Sequence, residues 1–192
     1  MRRKSFDVVT SAAGLVIAAV LLIASGLLFW GHSFISDNVR TQLADQRITM
    51  PSGQAIADPA IKPFLQKYAN QPMTNGAQAK AYADHFIKVH LKAATGDRSY
   101  SQLSTAARQD PTNTQLQDLV QTSFRGETLR GMLLNAYAFW KMGQVALYAA
   151  WIAVGAGAAL VLLSVMGLFH ARRTGFDTEI HVPGWHPEKA SS

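Results

Sequence analysis

Residues 12–30 read AAGLVIAAVLLIASGLLFW, a stretch without a charged side chain on which the reading of the whole chain turns. Wound as a helix it rises about 28 Å, close to the thickness of a bilayer's hydrocarbon core. A helix bonds its backbone amides and carbonyls within its own segment, so a stretch of this length spans hydrocarbon alone. Arg2, Arg3 and Lys4 precede it as in a secretory signal. Where a cleavage site would fall, however, Ala24, Ser25 and Gly26 are followed by the bulky Leu27, Leu28, Phe29 and Trp30. The reading is an uncleaved signal anchor over 12–30, behind a basic N-terminus at 1–11.

A second charge-free stretch covers residues 142–169, and its helical length of about 42 Å exceeds what a bilayer requires. The excess must tilt or protrude. Tyr148 and Trp151 suit one interface and Phe169, His170, Arg172 and Arg173 the other, which places the second transmembrane helix at 142–171. The basic flanks, Arg2, Arg3 and Lys4 before the first span and Arg172 and Arg173 after the second, assign both termini to the cytoplasm. The expected arrangement is a plasma-membrane protein with residues 31–141 extracytoplasmic and 172–192 a flexible cytoplasmic tail.

Small residues recur at helical spacing in both spans: Ser11, Ala18 and Ser25 in the first, Ala149, Ala153 and Gly157 in the second. Such stripes let backbones approach closely where lipid is as apolar as leucine, so they predict packing of the two spans on each other or on a partner's helices.

The segment between the spans reads as all-α, since no alternating run of β-branched residues argues for a sheet. Ser33 to Ala44 continues the first span, and Ile48 to Ala57, with Pro51 and Gly53, is an irregular crossing. Asp58-Pro59 marks a helix start, with the helix running to Tyr68, and Gln71-Pro72 a break. A long amphipathic helix is expected from Gly76 to Ala94, closed at Thr95-Gly96, with Ala79, Tyr82, Ala83, Phe86, His90 and Ala93 on one face. Capping boxes at Ser99/Gln102 and Thr114/Gln117 open two more helices, and a last helix begins near Gly126-Glu127 and runs into the second span.

The chain carries a net charge of +6, but its bases are spread along it and form no block, which argues against nucleic-acid binding. With no cysteine, disulfides, thiolate chemistry, Cys-ligated zinc and iron–sulfur clusters are excluded. There is no Gly-rich phosphate loop and no nucleophile in a strand–turn–helix setting. No cofactor or catalytic residue is assigned. Asp84, His85 and His90 are the one set that invites a two-histidine, one-carboxylate metal site. On one helix His85 and His90 diverge by about 140°, which opposes convergence on an ion, and His90 falls on the apolar face as a core residue. His170, His181 and His186 lie in or beside the tail without the rigid spacing of a metal site. The most unusual text is FRGETLRG at 124–131, followed by an aromatic-rich run to Trp140. Arg125, Gly126, Glu127, Arg130, Gly131, Asn135, Tyr137 and Trp140 are the candidates for a docking surface, toward the rest of the domain or toward a partner.

That text, with AKAYADHFIKVHL at 79–91 and the two terminal spans, resembles a functionally uncharacterised family of small two-span membrane proteins of actinobacteria. Its members often bear the label of aromatic ring-opening dioxygenases, and the label implies an iron-dependent extradiol enzyme or its small subunit. From the residues themselves, the expectation is a non-enzymatic envelope protein. It would act as an interaction or scaffold component through its outer helical domain, with the lipid bilayer and a protein partner or second copy as contacts. An enzyme subunit and an extracytoplasmic ligand sensor are the alternatives.

Overall fold

No proline occurs before Pro51 or between Pro111 and Pro183, so nothing in either end of the chain removes a helical amide. In the computed structural model, which describes residues 3–173, helix α1 accordingly runs from Arg3 to Asp45 and helix α6 from Thr114 to Arg173, both unbroken. Between them lie the short helices α2 (Lys62–Leu65), α3 (Gly76–Ala81), α4 (Lys88–Thr95) and α5 (Tyr100–Gln109). A π-helical turn, Tyr82–Ile87, joins α3 to α4, and 3-10 turns form at Gly53–Ile56 and Gln66–Tyr68. Among the described residues there is no strand, only an isolated bridge between Thr49 and Pro72. The expected tail at 174–192, with His181 and His186, lies outside the described residues.

Helices α1 and α6 are both long and apolar enough to cross a membrane. Only 11% and 17% of their apolar windows is buried within the protein, whereas a core helix in a water-soluble fold has most of its apolar surface covered. The chain divides into two compact units at Phe29/Trp30 and Ala146/Leu147.

The first unit consists, among the described residues, of the ends of α1 and α6 running antiparallel. Gly167 faces Ser11, Gly14 faces Ser164 and Gly157 faces Leu22. Buried at this seam are Ser11, Ala18 and Ser25 on α1 and Ala150, Ala153, Gly157, Ser164 and Ala171 on α6. The two stripes therefore meet each other. Ala149 is only half-buried and Ala150 takes the seam position, seven residues before Gly157 as Ser164 is seven after it. A seven-residue spacing keeps side chains on one face of two wrapped helices, which a four-residue count from Ala153 misplaces. Phe29 meets Trp151 edge-to-face, with ring centroids 5.2 Å apart.

The second unit, residues 30–146, has a core of large side chains: Val39 and Leu43 from α1, Leu133 from α6, and Met50, Ile56, Ile61, Leu65 and Met73 from the crossing between them. Several local expectations change here. The turn at Asp58-Pro59 does not open a helix: Ile61 and Lys62 both donate to the Asp58 carbonyl, and α2 begins at Lys62. Pro63 has no amide to extend the Asp58–Ile61 turn as helix. Helix α3 opens on a capping box of Asn75 and Gln78, which leaves Gln78 buried, and α4 closes at Gly96 in the left-handed conformation (φ 62°). The predicted box at Ser99/Gln102 forms, but at α6 Asn113 rather than Thr114 caps, its Oδ1 accepting from the Leu116 amide at 3.0 Å. Gly126 starts no helix. It lies inside α6 where a Cβ would come 2.9 Å from Leu91 Cδ1, so glycine there serves close packing.

The apolar face predicted for 76–94 holds through Phe86, which packs against the core, and then rotates. Ala79 and Ala83 are buried, but His90 and Ala93 are exposed, and Ile87, Leu91 and Thr95 turn inward instead. The π-turn inserts one residue into the helical count, about 100° of rotation, and moves the inward position from His90 to Leu91.

Candidate functional site

Two features of the second unit gather polar side chains: the π-turn with its neighbours on α6, and a groove along α1 and α6.

At the π-turn, Asp84 accepts from Lys80 one turn earlier and from Arg130 Nη2 of α6 at 3.3 Å. Glu127 holds the other end of the Arg130 guanidinium at 3.4 Å, while Arg130 Nε is buried without a hydrogen-bond partner. Burial works against the Asp84 carboxylate, but the hydrogen bonds and charges of Lys80 and Arg130 outweigh it and hold the carboxyl below its ordinary range. His85 stacks flat on Phe64, with ring centroids 3.5 Å apart and planes 5° apart. Burial there, with Lys80 and Lys88 adding to it against the pull of Asp84, pushes the imidazole below its usual pKa and favours the neutral ring. Burial likewise raises the Tyr82 phenol.

His90 is the clearest correction to the sequence reading. It is exposed, its Nδ1 lies 2.8 Å from the Phe86 carbonyl, and its ring tilts against Phe86 at 4.4 Å. The iron implied by the dioxygenase label does not fit this set. Asp84 is engaged by two cations, His85 lies on Phe64, and His90 has turned outward with the rotated face. Among the described residues, no three His, Asp or Glu side chains are grouped to hold a metal ion.

The FRGETLRG segment splits between the two faces of α6. Gly126 lies against Leu91, and Arg130 reaches Asp84. Farther along, a Cβ on Gly76 would come 2.5 Å from Trp140 Cβ and 3.0 Å from Tyr137 Cα, so α3 starts in close contact with that stretch. Lys80 sits 5.3 Å from the centre of the Tyr137 ring. These residues dock α6 onto the domain itself. Arg125, Glu127, Gly131 and Asn135 are exposed.

Asn135 belongs to the groove, which sequence reasoning missed. Helix α1 lines it with Phe34, Ile35, Asn38, Val39, Gln42 and Leu43, the turn after α1 with Gln46, and α6 with Met132, Asn135, Ala136, Phe139 and Met142. Its volume is about 520 Å³. Ile35 packs on Gly143 and the His32 ring nitrogen Nδ1 lies 2.8 Å from the Gly143 carbonyl, which fixes the helix pair at that end. Gln42 Nε2 donates to Asn38 Oδ1 at 2.7 Å across one turn of α1. The four-residue spacing of Phe34, Asn38, Gln42 and Gln46 was visible in the sequence as one face of a helix, but only its pairing with Met132 to Met142 makes it a groove. No family model, no curated protein and no solved structure matches the chain.

Proposed function

We propose that this protein is a two-span plasma-membrane protein, with both termini cytoplasmic and residues 31–141 held outside the membrane, and that it acts by contact through that helical domain. The observation that carries the reading is the inverted burial of the first unit. Its seam is made of Ser, Ala and Gly, while Val16, Ile23, Leu27, Leu162 and Met166 stand more than 60% exposed on its outside. In water such a surface would be a liability far beyond the usual exposed patch, and in hydrocarbon it is the expected solvent-facing side. Packing of α1 on α6 also gives the N-terminal apolar stretch a lasting place in the folded chain, which supports an anchor over a cleaved signal.

Contact is favoured over catalysis because Asp84, His85 and the docking face of α6 are engaged in holding the domain together. The resemblance to two-span actinobacterial proteins agrees with this reading, and the ring-opening label draws no support from the Asp84, His85 and His90 set. The test uses the absence of native cysteine: Ser101→Cys places a single thiol on an exposed position of α5. A membrane-impermeant maleimide should label it in intact cells, and alkaline carbonate should leave the protein in the membrane pellet. Labelling only after lysis would reverse the orientation, and release by carbonate would remove the anchor.

A further inference from the structure

We infer that the groove between α1 and α6 of the second unit is a binding site for a neutral, hydroxyl-bearing acyl lipid, taken head-outward from the bilayer surface. The inference rests on the membrane reading above.

Three observations converge on this class of ligand. The groove's volume of about 520 Å³ falls within the roughly 300–1,000 Å³ of small-molecule sites. None of the residues that line it is charged, although Arg40, Asp45 and Arg47 lie on the same stretch of chain. A phosphate or carboxylate head held here would find no lining cation to pair with. The third observation is a gradient of polarity. Phe34, Ile35, Phe139 and Met142 form one end, next to Trp30, which is 68% exposed and stacks on Phe34. At the other end Gln42, Gln46 and Asn135 supply uncharged amides beside Met132, with Asn38 between the two ends, each amide able to donate and accept.

From Phe34 to Gln42 the helix rises about 12 Å. In the proposed orientation Trp30 sits at headgroup depth, where indole rings settle. The apolar end then meets the bilayer surface and receives the upper acyl chain, while the amides lie farther out and bind hydroxyls. Sugar or glycerol hydroxyls satisfy both the donors and the acceptors of Gln42, Gln46 and Asn135.

The experiment uses the full chain in nanodiscs with photoreactive lipids that carry the same diazirine-bearing acyl chain: a monoacylglycerol, a fatty acid and a phosphatidylglycerol. The monoacylglycerol should label peptides containing Phe34, Phe139 or Met142 in preference to the other two, and unlabelled monoacylglycerol should compete. Ala136→Phe, which fills the groove floor, should abolish this labelling. The double variant Gln42→Leu with Asn135→Leu should keep acyl labelling but reduce the preference over phosphatidylglycerol roughly tenfold, as the loss of one or two hydrogen bonds implies. Because competition on the native sequence is read independently, a variant that fails to fold does not rescue the inference. Equal labelling by all three lipids, no competition, or a copy-to-copy crosslink at Phe139 in place of lipid labelling would overturn it. Carbonate extraction of the same preparation separates this failure from failure of the membrane reading: an anchored protein with an unlabelled groove refutes the lipid site alone.

Discussion

The two units of this chain bury opposite kinds of residue, although the same two helices contribute to both. In the first unit Ala18, Ser25, Ala150 and Gly157 are inside and Leu, Ile and Val are outside. In the second, Leu43, Met73 and Leu133 are inside and Lys62, Lys92, Asp45 and Asp118 are outside. Where water is the solvent, large apolar side chains gain most from leaving it. Where hydrocarbon is the solvent that gain vanishes, and close backbone approach through small residues is what remains to hold helices together. On the membrane reading proposed above, this reversal along each helix is what a change of solvent from hydrocarbon to water would produce.

The largest effect expected from breaking this comparison is a covalent one. A Cβ on Gly14 would lie 3.7 Å from Ser164 Cβ, and one on Gly167 would lie 3.7 Å from Ser11 Cβ. Both separations match the roughly 3.5–4.5 Å of natural disulfides. Gly14→Cys with Ser164→Cys should close almost completely under mild oxidation in membranes and shift the gel mobility of the monomer. Val9→Cys with Leu163→Cys, on outward faces, should remain open. A closed control pair, or a disulfide that joins two copies instead, would mean that the seam is not intramolecular.

Next in size comes the contrast between two leucines on α6. Leu133 is fully buried in the core of the second unit, and Leu163 is 64% exposed in the first. Leu133→Ala should cost about 2–5 kcal/mol in urea unfolding of the detergent-solubilised protein, followed by tryptophan fluorescence. Leu163→Ala should change it by no more than about 0.5 kcal/mol. Similar losses at both sites would show that the outward face of α6 is covered by something, and the hydrocarbon-facing reading of that surface would have to be abandoned.

What could be read from the chain divides along the same line. The two apolar stretches, the seven-residue recurrence of Ser11, Ala18 and Ser25, the box at Ser99 and the terminus at Gly96 are local patterns with local causes. The π-turn has no comparable signature. One added residue between Tyr82 and Ile87 turned His90 from a predicted core residue into an exposed one, and no periodicity count anticipates where a helix will absorb an insertion. Gly126 misled for a related reason: its meaning depends on Leu91, which lies 35 positions earlier in the chain. The Asn75/Gln78 box follows the same spacing as Ser99/Gln102 and was legible, but Pro72 and Gly76 drew attention to a boundary instead of a cap. The groove needed the antiparallel pairing of α1 with α6, a tertiary fact.

The smallest expected effect sharpens the second unit rather than the contrast, and it concerns pH. His85 on Phe64 has its folded pKa pushed down, first by burial and then by Lys80 and Lys88. The unfolded chain therefore binds the proton more readily, and stability rises with pH through the region where the two states differ. The contribution is complete above the unfolded value, near pH 6.5, and is lost as pH falls from there toward the lower folded value. Asp84 has the same sign in a lower window, since its carboxyl is held below the ordinary range and its contribution is lost as pH falls from the unfolded carboxylate value toward the lower folded one. The windows separate the two groups. His85→Phe keeps a flat ring for Phe64 but cannot titrate, so the thermal midpoint of the variant should be independent of pH between about 7 and 5, where the native protein loses stability. Asp84→Asn should leave that slope largely in place and flatten the steeper decline below about pH 4. If His85→Phe retains the native slope, the stacked imidazole is not the titrating group, and the Phe64 contact anchors the π-turn by its shape alone.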